Sequence, residues 1–111
     1  MDDFGFSTDW VYHQTSLNGY TAKVDKDGVW RTVISAQDPG VPNWLDTQGY
    51  RTGAVQVRWE KCSNWPEHSV KKVKTAEVRN YLPATTPVVT AAARDAALLE
   101  RRRGALLRKR W

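Results

Sequence analysis

The chain of 111 residues has little cysteine and little histidine: Cys62 is alone, and the two histidines are His13 and His68. A single cysteine excludes a disulfide within the chain and gives no sign of an oxidising compartment. Such a thiol is expected to fill a buried or half-buried position. The two histidines lie far apart and have no metal-ligand spacing, so we expect no metal site.

Several functional signatures are also missing. The sequence has no Gly-rich phosphate loop, nucleophile elbow or His-Glu-x-x-His pattern, so we expect no cofactor. No stretch approaches the roughly 20 apolar residues of a membrane span. The N-terminal segment, MDDFGFSTDW, is acidic and lacks both the basic and the apolar part of a signal peptide. These absences predict a soluble cytoplasmic protein.

The net charge of +5 is confined to the C-terminal segment. From Arg94 onward seven basic residues stand against two acidic ones, whereas the first 93 residues carry ten of each sign. A basic segment can contact nucleic acid or acidic membranes. This one lacks interleaved aromatic residues, and a solvated helix face is the more ordinary interpretation. Nucleic acid is therefore not the expected partner.

Alternating apolar and polar residues are present and predict β-strands. GYTAKVDKDGVWRTVIS predicts a hairpin with arms at 20–24 and 29–35 around an Asp-Gly turn at 25–28. A third strand is predicted at 55–59, and a lysine-rich edge strand at 70–78. Six tryptophans supply large apolar side chains for a small core. We expect residues 1–83 to form an antiparallel, jelly-roll-like β-sandwich. This sandwich is either complete or lacks some of its strands.

A C-terminal helix is predicted after a linker at 84–89. Thr90 is a plausible N-cap, and residues 90–111 are rich in helix formers. The expected docking stripe is Ala92, Ala96, Leu99 and Leu106, which Arg103 interrupts. Fraying is expected past Gly104.

The segment SAQDPGVPNWLDTQGY, residues 35–50, predicts a stiff loop. Asp38-Pro39-Gly40 is a strong turn signal, because proline fixes φ and glycine accepts a positive φ. Pro42 holds its predecessor extended, so Trp44 can be anchored at modest entropic cost. The loop therefore places Trp44 and the Asp46 carboxylate reproducibly.

Polar residues around this loop form the best candidate site, and two interpretations remain open. One is a ligand or substrate pocket where loops collect at the end of a sandwich. The other is a structural network in which Arg58 pairs with Asp46 or Asp38 and pins the loop. Trp10, Trp30, Trp44 and Trp59 similarly fit core packing better than a sugar-stacking platform. The candidate binding residues are Asp38, Asn43, Trp44, Asp46 and Arg58, with Gln14 and Asn18 as neighbours.

The motif DPGVPNWLDTQGYRTG, followed by Arg58-Trp59 and preceded by QTSLNG and DKDG, resembles the domain of unknown function 1214. The similarity runs from about Phe4 to Trp111. It implies the C-terminal β-sandwich of a larger bacterial protein, without an established reaction and without a role for His13. Relatives have further strands and a whole domain before FGFSTDW. The resemblance thus implies a shortened chain whose unpaired sheet edge self-associates or binds an N-terminal partner chain.

Together these observations predict a non-catalytic β-sandwich module, structural or ligand-binding, that is normally the C-terminal part of a larger protein. The alternative is an enzyme active site completed by an N-terminal part. In that alternative Asp46 is the acid/base and Arg58 stabilises developing charge.

Overall fold

The computed structural model describes residues 1–109, in which regular secondary structure is sparse. Two strands, β1 (Val33–Ser35) and β2 (Trp44–Asp46), form a parallel pair in which Val33 lies opposite Trp44. A 3₁₀ helix spans Thr75–Tyr81, and the helix α1 spans Ala91–Leu106. The other described residues form turns and extended loops around these elements.

The predicted antiparallel, jelly-roll-like β-sandwich is wrong. Within residues 1–109 the only sheet has two strands of three residues each, and they run parallel. Only the end of the predicted arm 29–35 is a strand. Its partner is β2, which belongs to the proline-containing loop, and not the segment 20–24.

Local hydrogen bonding near Asn18 explains why the segment 20–24 forms no strand. The Asn18 side-chain oxygen accepts from the backbone N–H groups of Tyr20 and Thr21, both at 2.9 Å. Its backbone carbonyl accepts from Thr21 and Ala22. Because these donors are used within one turn, they cannot join a strand ladder.

The side chain of Asn43 joins the two arms that the hairpin prediction had paired directly. Its Oδ1 accepts from the Lys23 N–H at 2.8 Å, and its Nδ2 donates to the carbonyls of Lys23 and Arg31 at 2.5 and 2.9 Å. The turn between the arms is confirmed, since the Gly28 N–H donates to the Asp25 carbonyl at 2.9 Å and Gly28 has φ +79°. The turn is therefore correct, but the pairing beyond it is made by a side chain.

The predicted strands at 55–59 and 70–78 are also absent. Val55 and Val57 are about half exposed, and Val70 is almost fully exposed. No backbone hydrogen bond joins 55–59 to another part of the described chain. The end of the second segment belongs to the 3₁₀ helix, where Val78 is buried. An alternating apolar and polar pattern shows that a segment can form a strand. A strand also needs a neighbouring strand to pair with, and the pattern does not say whether one is present.

Helix α1 begins as predicted and docks by an unexpected face. The Thr90 hydroxyl accepts from the Ala93 N–H at 3.2 Å, which confirms the N-cap. The least exposed positions are Arg94, Leu98, Arg101 and Ala105, which recur at helical spacing. The predicted stripe of Ala92, Ala96, Leu99 and Leu106 is exposed. A two-residue offset turns a helix by about 200°, so the predicted face is nearly opposite the docked one.

The core lies where the loop 38–46 meets residues 13–14 and α1. Its buried apolar side chains are Val41, Trp44 and Val78. Three polar residues are equally buried: Gln14, Asn43 and Arg94. This core depends on polar contacts as much as on apolar burial.

Neither helix in residues 1–109 combines the length and the apolar content that crossing a bilayer requires.

Candidate functional site

Arg94 is the central residue of the candidate site. Its side chain is 7% exposed, and its guanidinium forms a two-point ion pair with Asp38, with Nε–Oδ2 at 2.8 Å and Nη2–Oδ1 at 3.1 Å. It also donates to Gln14 Oε1 at 2.9 Å and to the Val41 carbonyl at 2.6 Å. The planar five-donor group of arginine suits such a site, whereas lysine lacks the fork. We call Gln14, Asp38, Val41, Trp44 and Arg94 the Arg94 cluster.

The Asp-Pro-Gly turn places Asp38 for this ion pair. Asp38 Oδ1 also accepts from the Gly40 N–H at 2.8 Å, and Gly40 has the positive φ, +69°, that the turn requires. Burial acts to raise the pKa of the Asp38 carboxyl, but the hydrogen bonds from Arg94 and Gly40 and the charge of Arg94 outweigh burial and lower that pKa. Asp38 is therefore held ionised opposite Arg94.

Trp44 is buried and anchored at its polar edge. It is 6% exposed, and its Nε1 donates to both the carbonyl and the hydroxyl of Ser35 at 3.1 Å. The Arg94 guanidinium carbon lies 5.1 Å from the centre of the Trp44 ring, within cation–π range. A sugar-stacking platform requires an exposed ring face, and Trp44 does not offer one.

Gln14 connects the N-terminal segment to the loop and to α1. Its Nε2 donates to the carbonyls of Trp44 at 2.7 Å and Pro42 at 3.2 Å, while Oε1 accepts from Arg94. The Gln14 carbonyl accepts from the Asp46 N–H at 2.8 Å. One buried side chain of the N-terminal segment thus satisfies groups on both the loop and α1.

Asp46 pairs with His13 at the edge of the Arg94 cluster. Asp46 Oδ2 lies 2.9 Å from His13 Nδ1, and Oδ1 accepts from the Gln48 N–H at 2.7 Å. The Asp46 side chain is 11% exposed and that of His13 is 44% exposed. Both carboxylate oxygens are used within the protein, and the imidazole is the more accessible partner. Sequence reasoning gave His13 no role.

The structure brings most of the predicted site residues together, with two exceptions. Asp38, Asn43, Trp44, Asp46 and Gln14 lie in or beside the loop 38–48. Arg58 lies apart: its side chain is 74% exposed, and its nearest acidic group is Glu60 at 4.0 Å. Asn18 serves its own turn.

The predicted pinning network is present, but its arginine is Arg94 and not Arg58. Arg94 was missed because it lies in an alanine-rich helix segment with several other cations, where a solvated position is the ordinary expectation. The available signal was the spacing of Arg94, Leu98 and Arg101, which places all three on one helix face.

The basic C-terminal segment contacts the chain's own N-terminal segment. Arg101 donates to the Trp10 carbonyl at 3.2 Å, the Ser16 hydroxyl at 3.0 Å and the Ser16 carbonyl at 2.5 Å. Burial lowers the pKa of Arg101. The guanidinium carbons of Arg102 and Arg108 lie over the rings of Tyr12 and Trp10 at 4.8 and 4.7 Å. The interpretation of this segment as a solvated face is therefore wrong for Arg94 and Arg101.

The Arg94 cluster offers little for catalysis. Its carboxylate and amide groups are bonded to other protein groups, and it contains no serine, threonine or cysteine nucleophile. No three His, Cys, Asp or Glu side chains converge anywhere in residues 1–109. Arg110 of the C-terminal segment lies outside the described residues.

Comparison with protein-family models, with curated proteins and with solved structures gives no match to this chain. The resemblance of residues 38–53 to the domain of unknown function 1214 stays a prediction, and the β-sandwich that it implies is absent from residues 1–109.

Proposed function

We propose that this chain is a non-catalytic module, structural or ligand-binding, that works as part of a larger cytoplasmic protein or assembly. The observation that supports this proposal is the use of both oxygens of Asp38 and of Asp46 in internal hydrogen bonds. A catalytic carboxylate must reach a substrate proton. These two carboxylates instead hold the loop 38–48 against the N-terminal segment and α1.

One observation favours an enzyme as the alternative. His13 is half-exposed and paired through Nδ1 with the mostly buried Asp46 carboxylate, and a carboxylate orients the imidazole in this way in many hydrolases. In this alternative His13 is the acid/base and Asp46 orients it. Arg58, the predicted charge-stabilising residue, would have to move to the His13–Asp46 pair, because its side chain lies exposed beside Glu60.

Thermal unfolding of Asp46→Ala distinguishes the two proposals. A scaffold role predicts a loss of about 1–3 kcal/mol, because the part-buried Gln48 N–H and His13 lose a charged acceptor. The melting temperature should then fall by several degrees, as expected for a chain of this size. Active-site groups are often retained at a cost in stability, so the enzyme alternative, in which Asp46 orients His13, predicts a melting temperature that is unchanged or raised. Glu60→Ala, at a 72% exposed carboxylate, is the matched control and should melt like the wild type.

A partner chain is also part of the proposal, because the protein exposes more surface than a compact monomer. Its accessible surface is 9243 Å², whereas a folded monomer of 12.7 kDa is expected to expose about 6,200 Å². If a partner covers the excess of about 3,000 Å² on this chain, the two partners together bury about 6,000 Å², the size of the largest permanent protein interfaces. The exposed large apolar side chains include Phe4, Phe6, Tyr20, Val70 and Leu107. The β-sandwich whose open edge would bind the partner is absent from residues 1–109, so these exposed side chains support the proposal instead.

Size-exclusion chromatography with light scattering should show self-association of the isolated chain at micromolar concentration. The physical reason is the apolar surface just described, which water disfavours. A monodisperse monomer at all concentrations, with dispersed amide resonances, would contradict the partner proposal and leave the module self-sufficient.

A further inference from the structure

A pinned surface loop at 59–68 lies outside the Arg94 cluster. Its two ends are joined because Trp59 Nε1 donates to His68 Nε2 at 2.9 Å. The Trp59 ring also packs edge-to-face on Trp30, with centroids 5.2 Å apart and planes at 89°. The side chains at the two ends of this surface loop are thus joined, and surface loops are where binding residues often lie. We call residues 59–68 the Trp65 loop.

The Trp65 loop displays its central aromatic residue. The Trp65 side chain is 84% exposed. Lys61 adopts φ +55°, which is costly for a residue with a side chain and changes the chain direction at the start of the loop. Cys62, predicted as a buried or half-buried filler, is exposed. These residues, with Trp59, Ser63 and Asn64, line an open cleft of about 260 Å³.

The sequence around the Trp65 loop is basic and much of that charge is accessible, while the loop itself carries Lys61 against Glu60 and Glu67. Residues 51–82 contain seven basic and three acidic side chains, whereas residues 1–50 contain three basic and seven acidic ones. Lys61, Lys72 and Lys74 are exposed. By contrast, Arg94 and Arg101 of the C-terminal segment are committed to internal contacts. The net charge of residues 1–82 does not reveal this basic segment, because the excess of acidic side chains in residues 1–50 cancels it.

We propose that the Trp65 loop binds single-stranded nucleic acid, with a base stacked on Trp65 and phosphates contacted by Lys61, Lys72 and Lys74. Trp65 and Lys61 line the same cleft, and an exposed aromatic ring beside cations is the combination that such proteins use. A membrane surface fits less well, because Trp65 is the only exposed large apolar side chain in the Trp65 loop, Trp59 being packed on Trp30. The inference rests on the proposed role as a non-catalytic binding module.

The first arm of the test removes the stacking surface. Fluorescence anisotropy of a labelled 20-nucleotide oligo(dT) at about 50 mM salt should show that Trp65→Ala weakens binding about fivefold to a hundredfold, the effect of one lost base stack. Tyr20→Ala, at a 92% exposed aromatic in the acidic half, is the matched control and should bind like the wild type. No oligonucleotide binding, or equal affinity of Trp65→Ala and wild type, overturns the proposal.

The second arm removes charge. The triple variant Lys61→Ala/Lys72→Ala/Lys74→Ala should reduce the slope of log affinity against log salt by about 2, at about 0.7 per lost phosphate contact. A matched triple variant at Lys26, Arg103 and Lys109 should keep most of the slope. Equal loss in both triples would show bulk attraction to charge and overturn the site.

Two competitors separate the ligand classes. Unlabelled duplex DNA and phosphatidylserine vesicles should compete poorly, because neither offers unstacked bases. Vesicles that bind more tightly than oligo(dT) would assign the loop to a lipid surface and overturn the nucleic-acid proposal. Failure here leaves the melting behaviour of Asp46→Ala unaffected, so failure of this inference and failure of the proposed function are distinguishable.

Discussion

Replacing Arg94 with alanine should lower the free energy of unfolding by about 3–5 kcal/mol, the range for breaking a buried ion pair from one side. The variant leaves Gln14 Oε1 and the Val41 carbonyl without their donor and Asp38 without its counter-charge. The Asp38 side chain is 33% exposed and regains some hydration, which favours the lower end of the range. Small domains hold only about 5–15 kcal/mol in total, so the variant should be poorly folded at 37 °C.

Urea denaturation followed by tryptophan fluorescence measures this change. Arg103→Ala, in the same helix with a 64% exposed side chain, should change stability by less than about 0.5 kcal/mol. Arg94→Lys keeps the positive charge but loses the planar set of guanidinium donors. Its stability should lie between those of the Arg94→Ala and Arg103→Ala proteins. Equal stability of the Arg94→Ala and Arg103→Ala proteins would contradict the assignment of Arg94 as the residue that holds the loop.

Trp44→Ala, made as a single variant, should lower the free energy of unfolding by about 3–5 kcal/mol, the range for removing a large buried aromatic side chain. The indole is one of three buried apolar side chains in the described residues, and it lies against the Arg94 guanidinium. The small core has little other apolar burial to compensate. Trp65→Ala is the matched control and should melt like the wild type, because its ring is 84% exposed. Wild-type-like melting of Trp44→Ala would show that Trp44 is exposed and would restore the binding-platform interpretation.

Local features of this fold could be predicted from the sequence. The Asp25–Gly28 turn, the Asp38–Gly40 turn and the Thr90 cap are each specified within a few residues. Proline, glycine and short polar side chains restrict the backbone regardless of what packs nearby. The stiffness of the loop around Trp44 belongs to the same class, whereas the contacts of Trp44 with Ser35 and Arg94 do not.

Long-range pairing could not be predicted in the same way. The alternation at 55–59 predicts a strand, but its apolar side chains find no neighbouring strand within residues 1–109. The helix face was misassigned because apolar residues were expected to dock, whereas Arg94 and Arg101 dock through hydrogen bonds. The choice of Arg94 over Arg58 as the partner of Asp38 depends on contacts across 56 residues of sequence, which composition and spacing do not specify.

The central claim is that Arg94 is locked between the loop 38–48 and helix α1, and the NMR signals of its guanidinium test it most directly. Side-chain ¹⁵N spectra should show a slowly exchanging Arg94 Nε–H with resolved Nη–H signals, because its donors are buried and paired with Asp38, Gln14 and Val41. Arg103 in the same helix should exchange rapidly and serves as the internal reference. Exchange of Arg94 as fast as that of Arg103 would contradict the claim.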